Sequence, residues 1–134
     1  MIIKSSKCVI TNGKYKPVCS FDTDRLTVTI IDPETQFEKV YLFNSDYIKY
    51  HVHYVASKYK GYLNKYVDDC TIYAYLSDLE TKAIAAENSQ VERWMKSDQE
   101  YLAAIDCGDE QKANGLLNTM HYMAREIVMD CMIY

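Results

Sequence analysis

The sequence predicts an α+β fold, with an N-terminal antiparallel β-meander or hairpins packed against helices and a C-terminal antiparallel αα-hairpin. Turn signals and β-type alternation fill residues 1–43, whereas apolar residues recur at helical spacing over residues 77–134. Strands grouped before helices are typical of this class. The chain has 134 residues, of which 49% are hydrophobic and 25% charged, as in an ordinary globular domain. We therefore expect a single domain over residues 1–134.

A hairpin signal opens the chain. Asn12-Gly13 suits a tight turn in which both central residues need a positive φ, so it predicts that a strand near residues 7–11 pairs with one near residues 14–21. Pro17 has no N–H to donate to a ladder. It therefore predicts that the second strand is an edge strand, or that Pro17 faces away from the ladder.

Two further strands complete the meander. In residues 25–31 the apolar Leu26, Val28 and Ile30 alternate with threonines, which predicts that these three share one face of a strand. Residues 32–35 contain Pro in a turn context, and residues 37–43 then form the return strand. Residues 1–43 thus predict a β-meander of about four strands.

Residues 44–67 fit two patterns. Asn44 or Ser45 can cap a helix, and the apolar residues that follow recur at helical spacing as far as Tyr66. A strand pattern covers only residues 48–54, so we predict a helix whose second half is weakened by Gly61. Residues 70–76 are rich in β-branched and aromatic side chains and predict one more strand.

The last third of the chain predicts the helical hairpin. Ser77 and Glu80 have the spacing of a capping box, which predicts the start of a helix, with a break near residues 88–89 as an alternative. Gly108 suits the left-handed position after a helix and Asp109 suits the cap of the next one. The short connection predicts antiparallel packing of the two helices.

Composition bears on compartment. The longest apolar run has five residues, too short to span a membrane, and the N-terminus lacks the apolar stretch of a secretory signal. The five cysteines are odd in number and scattered, which predicts a cytoplasmic protein with free, mostly buried thiols, Cys131 among them.

No residue pattern points to catalysis or to a metal. His51 and His53 share a face only on a strand, and nothing in the nearby sequence completes a metal site. His121 is expected to be half-buried on the last helix. Cys107 is expected at a helix C-terminus, where the dipole disfavours a thiolate. We therefore expect no catalytic residue, no metal and no cofactor, and a small enzyme with an unrecognised site is the last alternative.

The most distinctive stretch is the Tyr/Lys segment, residues 47–66. It contains six tyrosines and four lysines and no acidic residue. The helical stripe predicts that Tyr59, Tyr62 and Tyr66 belong to the core. Tyrosine offers rigid contact area and a hydroxyl, and lysine adds charge, so the remaining residues predict a partner-binding surface. The predicted contact residues are Tyr47, Lys49, Tyr50, Tyr54, Lys58 and Lys60.

Charge is divided unevenly along the chain. Residues 1–67 have ten basic and six acidic side chains, and residues 68–134 have five and thirteen. Such asymmetry indicates a charged partner. The short Tyr-, Ile-, Lys- and Asp-rich chain is similar in style to small proteins of phages and mobile elements, many of which bind and inhibit host enzymes. We therefore expect a non-catalytic protein-binding inhibitor of a host or defence enzyme that handles nucleic acid, with direct single-stranded nucleic-acid binding through residues 47–66 as the alternative.

The last helix carries more apolar residues than one neighbour can cover. A two-fold contact between copies of the chain would cover the remainder. This predicts a homodimer through Met120, Met123, Ile127 and Met129.

Overall fold

The computed structural model describes residues 1–5, 9–10, 14–15, 17–32 and 34–134 and has the predicted α+β class. The strands are β1 (Ile2–Lys4), β2 (Val9–Ile10), β3 (Lys14–Tyr15), β4 (Val18–Asp22), β5 (Thr27–Ile31) and β6 (Glu38–Leu42). The helices are α1 (Asp46–Lys58), α2 (Asn64–Asp68), α3 (Ile72–Ser97), α4 (Gln99–Asp106) and α5 (Glu110–Val128), followed by a π-helical turn (Met129–Ile133).

The described residues form two compact units, Met1–Glu80 and Thr81–Tyr134, and α3 contributes residues to both. The first unit contains the sheet. The second contains the helical hairpin. A single domain over the whole chain stays a prediction.

The main sheet is antiparallel and has the order β1-β4-β5-β6. The predicted pairing of residues 7–11 with 14–21 is confirmed for β2 and β3, while the turn at Asn12-Gly13 lies outside the described residues. The prediction of an edge strand after Pro17 is wrong for β4, which lies between β1 and β5. Pro17 precedes β4, so its missing N–H interrupts no ladder hydrogen bond. The sequence pattern missed β1, which is only three residues long.

One face of this sheet builds the core of the first unit. Cys19, Phe21 and Val28 are fully buried there, and Ile30 is partly buried, so the alternation predicted for residues 25–31 is confirmed within β5. The helices cover this face with apolar side chains of α1, of α2 and of the first turns of α3. These side chains are Ile48, Val52, Val55, Val67, Ile72 and Leu76.

The helix predicted after residue 44 is confirmed, but it is shorter than the stripe suggested. The Ser45 side chain caps it by accepting a hydrogen bond from the Tyr47 N–H, 3.1 Å away. The helix ends at Lys58, and Gly61 follows with a φ of +83°. This left-handed residue changes the chain direction before α2, so apolar residues beyond it do not continue the same stripe.

The strand predicted for residues 70–76 is wrong, because α3 begins at Ile72. Ile72 and Leu76 are both fully buried and lie one helical turn apart. Packing of that face against the sheet outweighs the β-propensity of the local residues. Ser77 therefore lies inside a helix and caps nothing, and the helix is continuous through residues 88–89. The interruption falls instead at Asp98, whose carboxylate accepts from the Tyr101 N–H to cap α4.

The predicted helical hairpin is confirmed in the second unit. Gly108 has a φ of +75°, and the Asp109 carboxylate accepts a hydrogen bond from the Lys112 N–H at the start of α5. The Gly108 N–H donates to Ile105 and the Asp109 N–H donates to Ala104, the pattern of a Schellman motif. The core of this hairpin includes Val91, Tyr101, Ala104, Ala113, Met120 and Ala124.

Two glycines of the hairpin give a matched test. We expect Gly108→Ala to lower the free energy of unfolding by about 1 kcal/mol, because a Cβ is strained at its positive φ. Gly115 lies inside α5 with open space around it, so Gly115→Ala should raise the free energy of unfolding, and hence the stability, by up to about 1 kcal/mol. Urea denaturation measures both, and a stabilising Gly108→Ala would contradict the left-handed cap.

Candidate binding surface

Exposed and half-buried tyrosines of residues 54–66 form two groups, each with an exposed lysine. The first group lies at the end of α1 and contains Tyr54, Lys58 and Tyr59. The second lies on α2 and its approach and contains Tyr62, Lys65 and Tyr66. We call these six residues, together with the exposed Tyr50, the Tyr/Lys surface.

In the first group the rings and the ammonium interact with each other. Tyr54 and Tyr59 meet edge to face, with their ring centroids 6.1 Å apart. The Lys58 Nζ lies 5.2 Å from the centroid of the Tyr54 ring. A side-chain hydrogen bond to Tyr54 raises the pKa of Lys58 above its usual value. This lysine therefore stays charged beside an aromatic pair.

The second group contains packed tyrosine rings with the ammonium of Lys65 beside two of them. Tyr66 stacks on Tyr75 of α3, with the centroids 4.2 Å apart, and Tyr62 meets Tyr66 edge to face at 5.7 Å. The Lys65 Nζ lies 5.0 Å from the Tyr62 ring centroid and 4.9 Å from that of Tyr66. The hydrogen bond to Tyr66 lowers the pKa of Tyr62. This group thus combines partly exposed aromatic rings, hydroxyls and one positive charge.

His51 contacts Tyr75, the half-buried α3 member of this stack. Its Nε2 lies 2.7 Å from the Tyr75 hydroxyl, and its side chain is buried. Burial raises the pKa of Tyr75 well above its usual range, which keeps the hydroxyl neutral. His53 is exposed on the helix, on a different face from His51. Within the residues that the structure describes, no three His, Cys, Asp or Glu side chains are grouped to hold a metal ion.

The structure changes which tyrosines can make contacts. Tyr47 is only 4% exposed, so it does not belong to the surface predicted for it. Tyr59 and Tyr62 are 53% and 38% exposed, and the prediction that they lie in the core is wrong, because α1 ends before them. Tyr54 and Tyr66 are partly buried against the core. The other predicted contact residues, Lys49, Tyr50, Lys58 and Lys60, are exposed.

The methionines predicted at a dimer contact differ in burial. Met120 is buried in the core of the second unit, so it cannot lie at an outer contact. Met129 is half-buried, and Met123 and Ile127 are exposed. The homodimer stays a prediction with these last two residues at its centre.

The cysteines do not share one environment. Cys19 is fully buried beside Cys70, and burial raises the pKa of its thiol to about 12. The Cys70 Sγ lies 3.2 Å from the Pro17 carbonyl oxygen and donates to it. Cys107 and Cys131 are exposed, so the expectation of mostly buried thiols is wrong for the described cysteines, of which Cys19 alone is fully buried. Cys131 lies in the π-helical turn after α5. That turn shifts the phase of the helical stripe.

The second unit contains a polar network around Glu87. The sequence predicted only that His121, one of its members, is half-buried. Glu87 of α3 is buried, with its Oε2 2.8 Å from the His121 Nδ1. The Arg125 Nε donates to the Glu87 Oε1 at 3.3 Å. The four-residue spacing of His121 and Arg125 places both on one face of α5, but no local pattern indicates a partner 34 residues away. The network joins α3 to α5.

The fold places the chain in the α+β class of proteins. Across the described ranges, no helix is both long and apolar enough to cross a membrane. No family model matches the chain. No curated protein and no solved structure matches it either.

Proposed function

We propose that this chain is a non-catalytic binding protein that recognises an acidic surface of a protein partner through its Tyr/Lys surface. The observation that carries the proposal is the exposure of Tyr50, Tyr59 and Tyr62 beside exposed lysines, in a stretch without any acidic residue. Tyrosine and cationic side chains supply contact area and complementary charge at such interfaces.

The contacts among the rings favour a protein over a nucleic acid. Base stacking needs an open ring face. One face of Tyr66 is covered by Tyr75, and lysine ammoniums approach the rings of Tyr54 and Tyr62. These contacts occupy one face of each of the three rings, whereas the tyrosine hydroxyls suit hydrogen bonding to a protein surface.

Direct binding of single-stranded nucleic acid is the second candidate. It is favoured by the exposure of Tyr59 and Tyr62, which the helical pattern had assigned to the core. Each has a lysine next to it or three residues away, so a ring and a phosphate-neutralising charge occur together.

Affinity capture separates the two candidates. The full chain, with either no substitution or Tyr62→Ala plus Lys65→Glu, is immobilised and exposed to nuclease-treated lysate of the cells that make it. We expect one protein to be retained in stoichiometric amount by the unsubstituted chain and reduced about tenfold or more by the double substitution, as for a central interface residue. Tyr122→Ala, on the exposed face of α5, is the matched control and should retain the partner fully.

Filter binding with oligo(dT) and oligo(U) completes the comparison. Steeply salt-dependent binding, abolished by Lys58→Glu with Lys60→Glu, would replace the proposal by its second candidate. Capture of the same proteins by all three chains would overturn the role of the Tyr/Lys surface. The finer expectation, inhibition of a nucleic-acid-handling enzyme, rests on the acidic balance of residues 78–134 and stays a prediction, as does the cytoplasmic location expected from the cysteines.

A further inference from the structure

A groove of about 590 Å³ lies in the first unit between β1 and the segment that joins α1 to α2. One wall consists of residues 1–4, and the other includes Ala56, Tyr59, Lys60 and Leu63. Its volume is in the range of sites that hold a small ligand or a short peptide. Tyr59 belongs both to this groove and to the Tyr/Lys surface.

The backbone of β1 turns hydrogen-bonding groups away from the sheet. The Thr23 N–H donates to the Met1 carbonyl, and the Ser5 N–H donates to Cys19, so odd-numbered residues of this strand pair with β4. Because the pattern alternates, the N–H and C=O groups of Ile2 and Lys4 point away from β4, and both residues line the groove. β1 is an edge of the sheet, and such an edge is a template for an added strand.

The side chains of the groove select the charge of an added strand. Lys4 and Lys60 are both exposed among its lining residues, and those residues include no carboxylate. The N-terminal ammonium is already paired with Asp24, with its nitrogen 2.6 Å from the Oδ2. Apolar contacts come from Ile3, Ala56 and Leu63. Alternating apolar and acidic side chains therefore fit the two walls.

We propose that this groove binds an extended acidic segment of a protein partner, which adds to β1 as a further strand of the sheet. The inference rests on the proposed function and adds that the acidic partner binds as an extended strand. Main-chain hydrogen bonds to Ile2 and Lys4 supply affinity, and the two lysines supply the preference for acidic residues.

Selection from a displayed library of random peptides of about twelve residues, on the full chain, provides the probe. We expect enrichment of peptides in which Asp or Glu alternates with β-branched residues. For a synthetic enriched peptide, Ile2→Pro should weaken binding about tenfold or more, because it removes an outward N–H. Lys4→Glu with Lys60→Glu should weaken it similarly while leaving the backbone unchanged. N-methylation of alternate peptide residues should abolish binding, and N-methylation of the intervening ones should not.

The opposite edge of the sheet supplies the matched control. The Phe43 N–H donates to Leu26, and Phe37 accepts from the Asp32 N–H, so Val40 of β6 also points its N–H outward. Val40→Pro should therefore leave peptide affinity unchanged. Circular dichroism tests whether both proline variants are folded.

The outcomes separate this proposal from the proposed function. Failure to enrich acidic peptides, or affinity insensitive to Ile2→Pro and to the N-methylation pattern, overturns strand addition. Binding that withstands Ile2→Pro but is lost with Tyr62→Ala plus Lys65→Glu overturns the groove and retains the Tyr/Lys surface, because neither of the latter residues lines the groove. Loss with Ile2→Pro alone supports the groove and limits the part of the Tyr/Lys surface that contacts this peptide to Tyr59.

Discussion

Phe21→Ala is expected to lower the free energy of unfolding by about 3–5 kcal/mol, the largest effect of any single substitution considered. Phe21 is 0% exposed in β4, within the core that the sheet shares with α1, α2 and the start of α3. Truncation removes the transfer free energy of a whole ring and leaves a cavity that the surrounding strands cannot close. A loss of this size is a large fraction of the stability of most domains.

Urea denaturation followed by near-ultraviolet circular dichroism of the tyrosines measures the effect in the first unit. Phe37→Ala is the matched control, because Phe37 is 62% exposed just before β6 and its removal should cost less than about 0.5 kcal/mol. Equal losses of unfolding free energy for Phe21→Ala and Phe37→Ala would contradict the burial of Phe21 and the exposure of Phe37.

Glu87→Ala is expected to lower the free energy of unfolding by about 2 kcal/mol. The Glu87 side chain is 10% exposed and its carboxylate contacts both His121 and Arg125, so its removal breaks two hydrogen bonds to a carboxylate between α3 and α5. The two partners keep 33% and 48% side-chain exposure, so water can solvate them after the change. The cost is therefore smaller than for a fully buried ion pair, about 3–5 kcal/mol.

Fluorescence of Trp94, the single tryptophan of the chain, reports this unfolding transition because its ring packs against the core of the second unit. Glu92→Ala, an exposed site on the same helix, should change the free energy by less than about 0.5 kcal/mol. Arg125→Met combined with Glu87→Ala should cost less than the sum of the single changes. Full additivity would show that the network contributes nothing.

Features that depend on neighbouring residues could be predicted from the sequence. The Ser45 cap, the left-handed Gly108 and the Asp109 cap each involve backbone groups within a few residues. The alternation in residues 27–31 reflects the period of a strand with one buried face. In each case the local pattern and the tertiary packing favour the same conformation.

Elsewhere the local preference and the packing disagreed. Residues 70–76 favour a strand by composition, yet Ile72 and Leu76 are buried together only as successive turns of a helix. The stripe through Tyr59 and Tyr62 is regular in sequence, but α1 stops before them. Helical spacing of apolar residues predicts burial only as far as the helix continues, and here the helix ends before these tyrosines.

The candidate site follows the same division. Residues 47–66 contain many tyrosines and lysines and no acidic residue, and composition alone shows this because it does not depend on folding. The burial of Tyr47 and the stacking of Tyr66 on Tyr75 depend on tertiary contacts and could not be predicted from composition. The tertiary structure also brought β1 beside the α1–α2 connection to form the groove. Those results depend on contacts between residues distant in the chain, and the free energy of such contacts outweighs the preference of any single residue.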